Sequence, residues 1–286
     1  MIDLHLHVLP AVDDGPGSLR ESRAMLERLA RLGFSHLVAT PHLMEPLSSE
    51  YRFATKRALE LVQPIAAEFG LSVDKGYEHL LSPDLARRLD AGETSTLAGS
   101  NAVMVELPFI GWPNHTESAL FDLRIAGFRP VLAHPERYLE VQSNPERALA
   151  TAQQGVVLQL TYASFAGLYG RVAERTAKTI LESGLRQGAH ILFATDAHSD
   201  GSRLSSVPDG ISRIRRNFPN GGAIVEWAST VVPTCLLAND PVPAFHDWFE
   251  TDAGRQTVDS GALQKEHRRA RHVLRPFGRS LRSRTG

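Results

Sequence analysis

Histidine and carboxylate side chains, rather than thiols, are where this chain concentrates its reactive groups: 286 residues hold twelve histidines and one cysteine. His5 and His7 lie in Ile2-Asp3-Leu4-His5-Leu6-His7. On an extended strand alternate side chains share a face, so the two imidazoles form a ready pair of metal ligands. Further apolar runs stop on groups of the same kind: Thr40-Pro41-His42, Gly76-Tyr77-Glu78, Val105-Glu106, Ala133-His134 and Thr195-Asp196-Ala197-His198. Asp13 and Asp14 follow the first run directly. Brought together, Asp14, Glu78, Glu106 and Asp196 would repel one another unless cations compensated them. Protonated histidines could do this in a salt-bridge network; two or three divalent ions would do it while using the imidazoles as ligands. A mixed nitrogen and oxygen donor set suits manganese, iron or zinc better than magnesium. Clustered ions bridged by carboxylates point to hydrolysis by metal-activated water. Arg137, three residues after His134, and Arg203, five after His198, offer planar forks that match phosphate oxygens. The plainer role for each arginine is a surface ion pair.

The elements that must position these groups alternate. Extended segments are predicted over 2–7, 36–40, 72–77, 102–107, 129–134, 156–160 and 190–195. Helices are predicted over 19–32, 51–69, 83–91, 115–126, 145–154 and 171–187. Ser18 with Glu21 has the spacing of a capping box. Gly33, Gly70, Gly127, Gly155 and Gly188 each stand where a helix should end. Nearly unbroken apolar strands such as Val-Val-Leu-Gln-Leu at 156–160 fit a parallel sheet covered by helices. Seven βα units in series suggest an α/β barrel, with reactive side chains gathered at the carboxyl ends of its strands.

Composition excludes several classes. A lone cysteine permits neither an intramolecular disulfide nor a thiolate zinc site. Cys235 is followed by Leu-Leu-Ala-Asn-Asp-Pro, without the arginine a cysteine-phosphatase loop needs. The net charge of −1 argues against a nucleic-acid binder. It averages two unlike parts: residues 263–286 carry eight basic side chains against one acid, leaving the preceding 262 residues at −8. The expected organisation is a catalytic domain over 1–262 and a basic, disordered tail over 263–286. The tail is a candidate for peripheral contact with anionic lipid or a phosphorylated partner. No stretch of about 18 apolar residues occurs and the opening residues are polar, so the expectation is a cytoplasmic chain without a transmembrane helix.

The blocks I-D-L-H-L-H (2–7), V-D-D-G-P (12–16), T-P-H (40–42), G-Y-E (76–78), V-E-L-P (105–108), P-V-L-A-H-P-E-R-Y (130–138) and A-T-D-A-H (194–198) together define a resemblance. The sequence resembles the manganese-dependent tyrosine-protein phosphatases of bacterial capsule and exopolysaccharide clusters, in the polymerase and histidinol phosphatase (PHP) superfamily. The resemblance implies a distorted (β/α)7 barrel with three metal ions. His5, His7, Glu78 and Asp196 would hold the first; Glu78, Glu106 and His134 the second; Asp14, His42 and His198 the third. It also implies that Arg137 and Arg203 bind the phosphoryl group, and that the substrate is the phosphorylated tail of a bacterial tyrosine autokinase. Leu6 and Leu43 depart from residues usual in the family without removing a ligand. The rival readings are another phosphoesterase of the superfamily, such as a histidinol phosphatase, an amidohydrolase, and a non-catalytic phosphopeptide-binding barrel. The other seven histidines, His36, His79, His115, His190, His246, His267 and His272, are expected to be structural or solvated, and Trp112 to have a packing role.

Overall fold

The computed structural model describes residues 1–44 and 46–251. The expected domain end at 262 and the basic tail at 263–286 lie outside the described residues, as do His267 and His272.

Each predicted extended segment forms a strand, and all pair in parallel. The strands are β1 (Ile2–Leu6), β2 (His36–Ala39), β3 (His42–Leu43), β4 (Ser72–Lys75), β5 (Glu78–Leu80), β6 (Ala102–Glu106), β7 (Arg129–Ala133), β8 (Val157–Thr161) and β9 (Ile191–Ala194). Sequence reading anticipates seven of these and misses β3 and β5. Both continue an earlier strand past a kink, so the chain still makes seven passes. Pro41 has no N–H for the ladder and breaks β2 from β3. Gly76 separates β4 from β5, and a Cβ on it would lie 2.7 Å from Leu97 Cδ2. The ladder survives both kinks through Gly76 N to Ala39 O (2.9 Å) and Glu78 N to Pro41 O (3.2 Å).

Two hydrogen-bonded runs result, β1-β2-β4 and β3-β5-β6-β7-β8-β9. The far edge meets β1 again: Leu6 bridges Ala197 in parallel, Asp196 N donates to His5 O, and His7 N donates to Ala197 O, both at 2.8 Å. The sheet therefore closes on itself as a distorted seven-stranded barrel, the expected architecture. Asp3 staples the seam from within, accepting from Thr195 Oγ1 (2.6 Å) and, with its other oxygen, from Thr195 N (3.2 Å). Burial raises this carboxyl to about pKa 6 against those bonds.

The six predicted helices form within two residues of their expected ends: Leu19–Arg31, Ser49–Glu68, Leu85–Asp90, Thr116–Ile125, Glu146–Gln153 and Gly170–Arg186. Ser18 accepts from Glu21 N as expected, but the Glu21 carboxylate reaches Gly17 N (2.8 Å) instead of closing the capping box. The five helix-ending glycines all have positive φ, between 73° and 90°, which an L side chain would strain. Residues 202–249, for which no elements were predicted, are largely helical: Ser202–Asn217, Gly221–Glu226, Val232–Ala238 and Phe245–Phe249, with a π-helical stretch at Trp227–Val231. Gly221–Ala238 is apolar and long enough to cross a membrane, which the composition alone did not signal. Trp227, Ala228, Val232 and Leu236 on it are fully buried and pack into the core, so it serves as a core helix.

Helix Ser202–Asn217 approaches Tyr162 so closely that a Cβ at Gly210 would lie 2.4 Å from Tyr162 O. Gly210→Ala is expected to destabilise the fold by about 1–3 kcal/mol. Gly222→Ala, whose Cβ meets nothing within 4 Å, should leave the thermal midpoint unchanged. Melting both variants beside the parent checks this; equal midpoints would contradict the close packing.

Candidate metal centre

The nine ligand candidates come from loops and strand ends at the carboxyl face of the barrel, while Arg137 closes the 3-10 turn Pro135–Arg137 and Arg203 stands in the first turn of helix Ser202–Asn217. His5 is on β1 and His7 just after it, His42 opens β3, Glu78 opens β5, and Glu106 closes β6. His134 and Asp196 follow β7 and β9 with φ of 34° and 50°. Non-glycine residues in this left-handed region are strained, and such strain gathers where a side chain must be aimed.

Glu78 is the hub. It is fully buried, and its Oε2 lies 3.1 Å from His5 Nε2, 3.4 Å from His7 Nε2 and 3.0 Å from His42 Nδ1. Its Oε1 is 3.0 Å from His134 Nε2. Glu106 Oε1 stands 3.2 Å from His42 Nδ1, and Asp14 Oδ1 stands 3.5 Å from His42 Nε2 and 3.2 Å from His198 Nε2. Asp196 Oδ1 lies 3.5 Å from His5 and 3.6 Å from both His7 and His198.

Ligand atoms close enough to share an ion fall into four overlapping groups: His7-Asp14-His42-His198, His5-His7-Asp196, His5-Glu78-His134 and His42-Glu78-Glu106. These nine residues are the nine ligand candidates. The grouping differs from the three sets implied by resemblance, in which only Glu78 is shared. Here His5, His7, His42 and Glu78 each belong to two groups, and one Glu78 oxygen lies within 3.4 Å of all three imidazoles.

The donor set fits divalent cations on grounds of this structure. Glu78 Oε2 is buried with no hydrogen-bond partner in good geometry, although imidazole nitrogens crowd it. The field also demands positive charge. Burial opposes a charged His5, yet Glu78 and Asp196 raise it to about 9. Burial likewise opposes a charged His42, yet Glu106 and Glu78 raise it to about 11. Against the same burial, His5, His134 and His42 hold Glu78 well below the usual carboxylate range. His5, His134 and Arg203 hold Asp196 at about 2. His198 moves the other way, to about 4, through burial and the neighbouring His7.

Both arginines reach this cluster. Arg137 Nη1 donates to Asp196 Oδ2 at 2.6 Å, and Arg203 Nη1 contacts Asp196 Oδ1 at 2.7 Å. Arg203 also donates to the Asp196 backbone carbonyl and lies 2.6 Å from His198 Nδ1. Arg137 is further held between rings, with its guanidinium carbon 4.7 Å from the Phe109 centroid and 4.5 Å from that of Tyr169. Neither arginine is the plain surface ion pair weighed as its alternative.

Four contributors have roles that sequence reading does not assign, although it places Asp13 beside Asp14. Asp13 Oδ2 contacts His7 Nδ1 at 2.7 Å and accepts from the His42 backbone N at 3.1 Å, holding the His7 ring and the start of β3 together. Gln159 Oε1 contacts His5 Nδ1 at 2.8 Å and accepts from His134 N at 3.2 Å. A glutamine inside an otherwise apolar strand was the available signal for it. Phe109 stacks on His134 at 5.6 Å, and Tyr169 lies under both arginines. Outer partners of ligating histidines set ring orientation and basicity. Asp13→Asn should therefore weaken metal affinity about 10–100-fold while leaving the fold intact, read by metal titration and thermal midpoint. Unchanged affinity would remove Asp13 from the site.

The remaining described histidines bond elsewhere. His79 contacts Met104 O and Thr94 Oγ1, and burial lowers it to about 4; His36 pairs with Asp74, His115 with Leu81 O, and His246 with Glu250. Trp112 is partly buried against the core, a packing role, and donates to Glu117. Lys75, the lysine nearest Glu78 in sequence, is held on Tyr77, 2.9 Å from its hydroxyl.

A closed seven-stranded α/β barrel with histidines and carboxylates converging at its mouth defines a metallohydrolase-like protein. A profile of the family described as "Capsular polysaccharide synthesis, CpsB/CapC" matches residues 1–225, and the chain belongs to that family. It is 28% identical over 244 residues to tyrosine-protein phosphatase YwqE of Bacillus subtilis, covering 85% of this chain and 93% of that one. It is 28% identical over 225 residues to tyrosine-protein phosphatase CpsB of Streptococcus pneumoniae, covering 76% and 91%. Among solved structures it superposes, with a TM-score of 0.77 and 27% identity over 85% of this chain and 96% of the other, on one from work on YwqE and CpsB described as metal-dependent tyrosine phosphatases. A lactonase from Listeria monocytogenes, at TM-score 0.55 and 13% identity, covers 82% and 94% and shares the fold.

Proposed function

We propose that this chain is a metal-dependent protein-tyrosine phosphatase, with manganese as its working ion. Its proposed substrate is the phosphorylated tyrosine-rich tail of a bacterial autokinase that regulates capsule or exopolysaccharide synthesis, and its proposed compartment is the cytoplasm. The basic segment at 263–286 is proposed as a peripheral contact for an anionic partner. The observation that carries the reading is Arg137 and Arg203 meeting on Asp196 at the edge of the Glu78 cluster, so that phosphoryl-binding forks and ligand groups share one mouth.

In this reading His5, His7, Asp14, His42, Glu78, Glu106, His134, Asp196 and His198 hold two or three divalent ions. Such ions supply Lewis-acid stabilisation of phosphoryl charge and activation of water. The protein's own groups do the rest. Glu78 ties the ligand groups together, and Asp13 and Gln159 orient the imidazoles. Arg137 and Arg203 exchange part of their hold on Asp196 for the phosphoryl oxygens, gathering negative charge as water attacks phosphorus and the tyrosine oxygen departs. Water and a phosphotyrosine give inorganic phosphate and tyrosine.

The test is an assay of the manganese-loaded protein on phosphotyrosine, phosphoserine and histidinol phosphate, with His134→Ala alongside. Preferential phosphotyrosine hydrolysis, lost in the variant, is expected. Preference for histidinol phosphate would transfer the reading to that relative of the same superfamily, and equal activity in His134→Ala would defeat the metal mechanism.

A further inference from the structure

Beside the metal centre lies a cleft of about 340 Å³ lined by Phe109, Ile110, Arg137, Leu139, Gln142 and Tyr169. Its chemistry contrasts with the acid-rich cluster next to it, because its lining holds one cation and no carboxylate. The adjacent Glu140 carboxylate is engaged with Gly111 N at 2.7 Å. Ile110 is 75% exposed, Leu139 51% and Phe109 43%. Single exposed apolar side chains are ordinary, but three around one arginine form a patch of the kind that marks a binding surface. The walls are set in advance: Leu139 N donates to Phe109 O at 3.1 Å, and this bond with Glu140–Gly111 pins the 109–111 loop to helix Leu139–Ser143. Arg137 belongs to both places, lying between the Phe109 and Tyr169 rings while bonded to Asp196.

We propose that this cleft receives the phenyl ring of an aryl phosphate, so that Phe109, Ile110, Leu139 and Tyr169 select aryl over alkyl phosphate esters. The inference rests on the phosphatase reading and deepens it. With the phosphoryl group on Arg137, an attached ring reaches the cleft directly, covers Ile110 and Leu139, and meets aromatic and guanidinium faces that favour a π-system. A serine phosphate carries no ring to cover these walls and forgoes that binding.

Steady-state kinetics of Ile110→Asp, Leu139→Asp and the milder Ile110→Ala on a phosphotyrosine peptide and on para-nitrophenyl phosphate test this. Inhibition by inorganic phosphate serves as the probe of the phosphoryl site alone. Each aspartate variant should raise KM for both aryl substrates about tenfold, with kcat changed by less than about twofold. Ile110→Ala should raise KM about threefold. Inhibition by inorganic phosphate should be unchanged in Ile110→Ala, whereas the aspartate variants, which set a carboxylate beside Arg137, should also weaken it. Unaltered KM in a wild-type-active background would overturn the cleft alone, as would a parallel weakening of phosphate inhibition in Ile110→Ala. A wild-type protein inactive on both aryl substrates would overturn the phosphatase reading, and the cleft assignment with it.

Discussion

Glu78→Gln is expected to lower kcat/KM on phosphotyrosine by on the order of 10³-fold and to reduce bound metal in the same preparation. The substitution keeps size and shape but removes the one charge that four imidazoles face: His5, His7 and His42 at Oε2 and His134 at Oε1. Two of the four candidate ion groups contain Glu78, and each of the other two shares His5 or His42 with one of them. Losing the hub should therefore affect every group and not one site. Metal per chain by elemental analysis, together with kcat/KM, reads the outcome. A variant with full metal content and only a severalfold loss in rate would show that the groups are independent.

Arg137→Ala should lose about 10²–10³ in kcat/KM while keeping its metal, which separates phosphoryl stabilisation from ion binding. The guanidinium donates to Asp196 Oδ2 and lies between two rings, so its fork is fixed before any substrate arrives. Arg137→Lys should recover little of the loss, because an ammonium offers neither the planar fork nor the stacking face. Asp196 retains Arg203 at 2.7 Å in both variants, so its position should persist. Rescue by lysine to near the parent rate would mean that Arg137 contributes charge alone, and loss of metal would place it in support of the ligands.

Much of this was legible because it rests on short-range rules. Apolar runs that end in His42, Glu78, Glu106 or His134 stand out against a covered parallel strand, where an ionisable group needs a partner. The glycines that end helices mark their own positions, since only they adopt the required φ without strain. What stayed hidden depends on contacts distant in sequence. The kink at Gly76 splits a strand where Leu97 approaches too closely for a side chain, a contact 21 residues away in sequence. Asp13 and Gln159 act through the far ring nitrogens of His7 and His5, a relation no spacing encodes. The left-handed turns at His134 and Asp196 carry no compositional mark, since neither is glycine. Phe109 and Tyr169 are ordinary aromatics until the fold sets them on either side of Arg137. The helices after residue 202 include an apolar one whose role as a core helix is visible only from the strands it covers.

The central claim is that metal held by this cluster is required for phosphotyrosine hydrolysis. The most direct measurement is activity of the purified 286-residue chain after chelation and dialysis, then on titration with manganese, with bound metal counted at each point. The account predicts that activity disappears with the metal and returns in proportion to occupancy, saturating at two or three ions per chain. Activity that persists in chelator with metal removed, or that fails to follow occupancy, would contradict it.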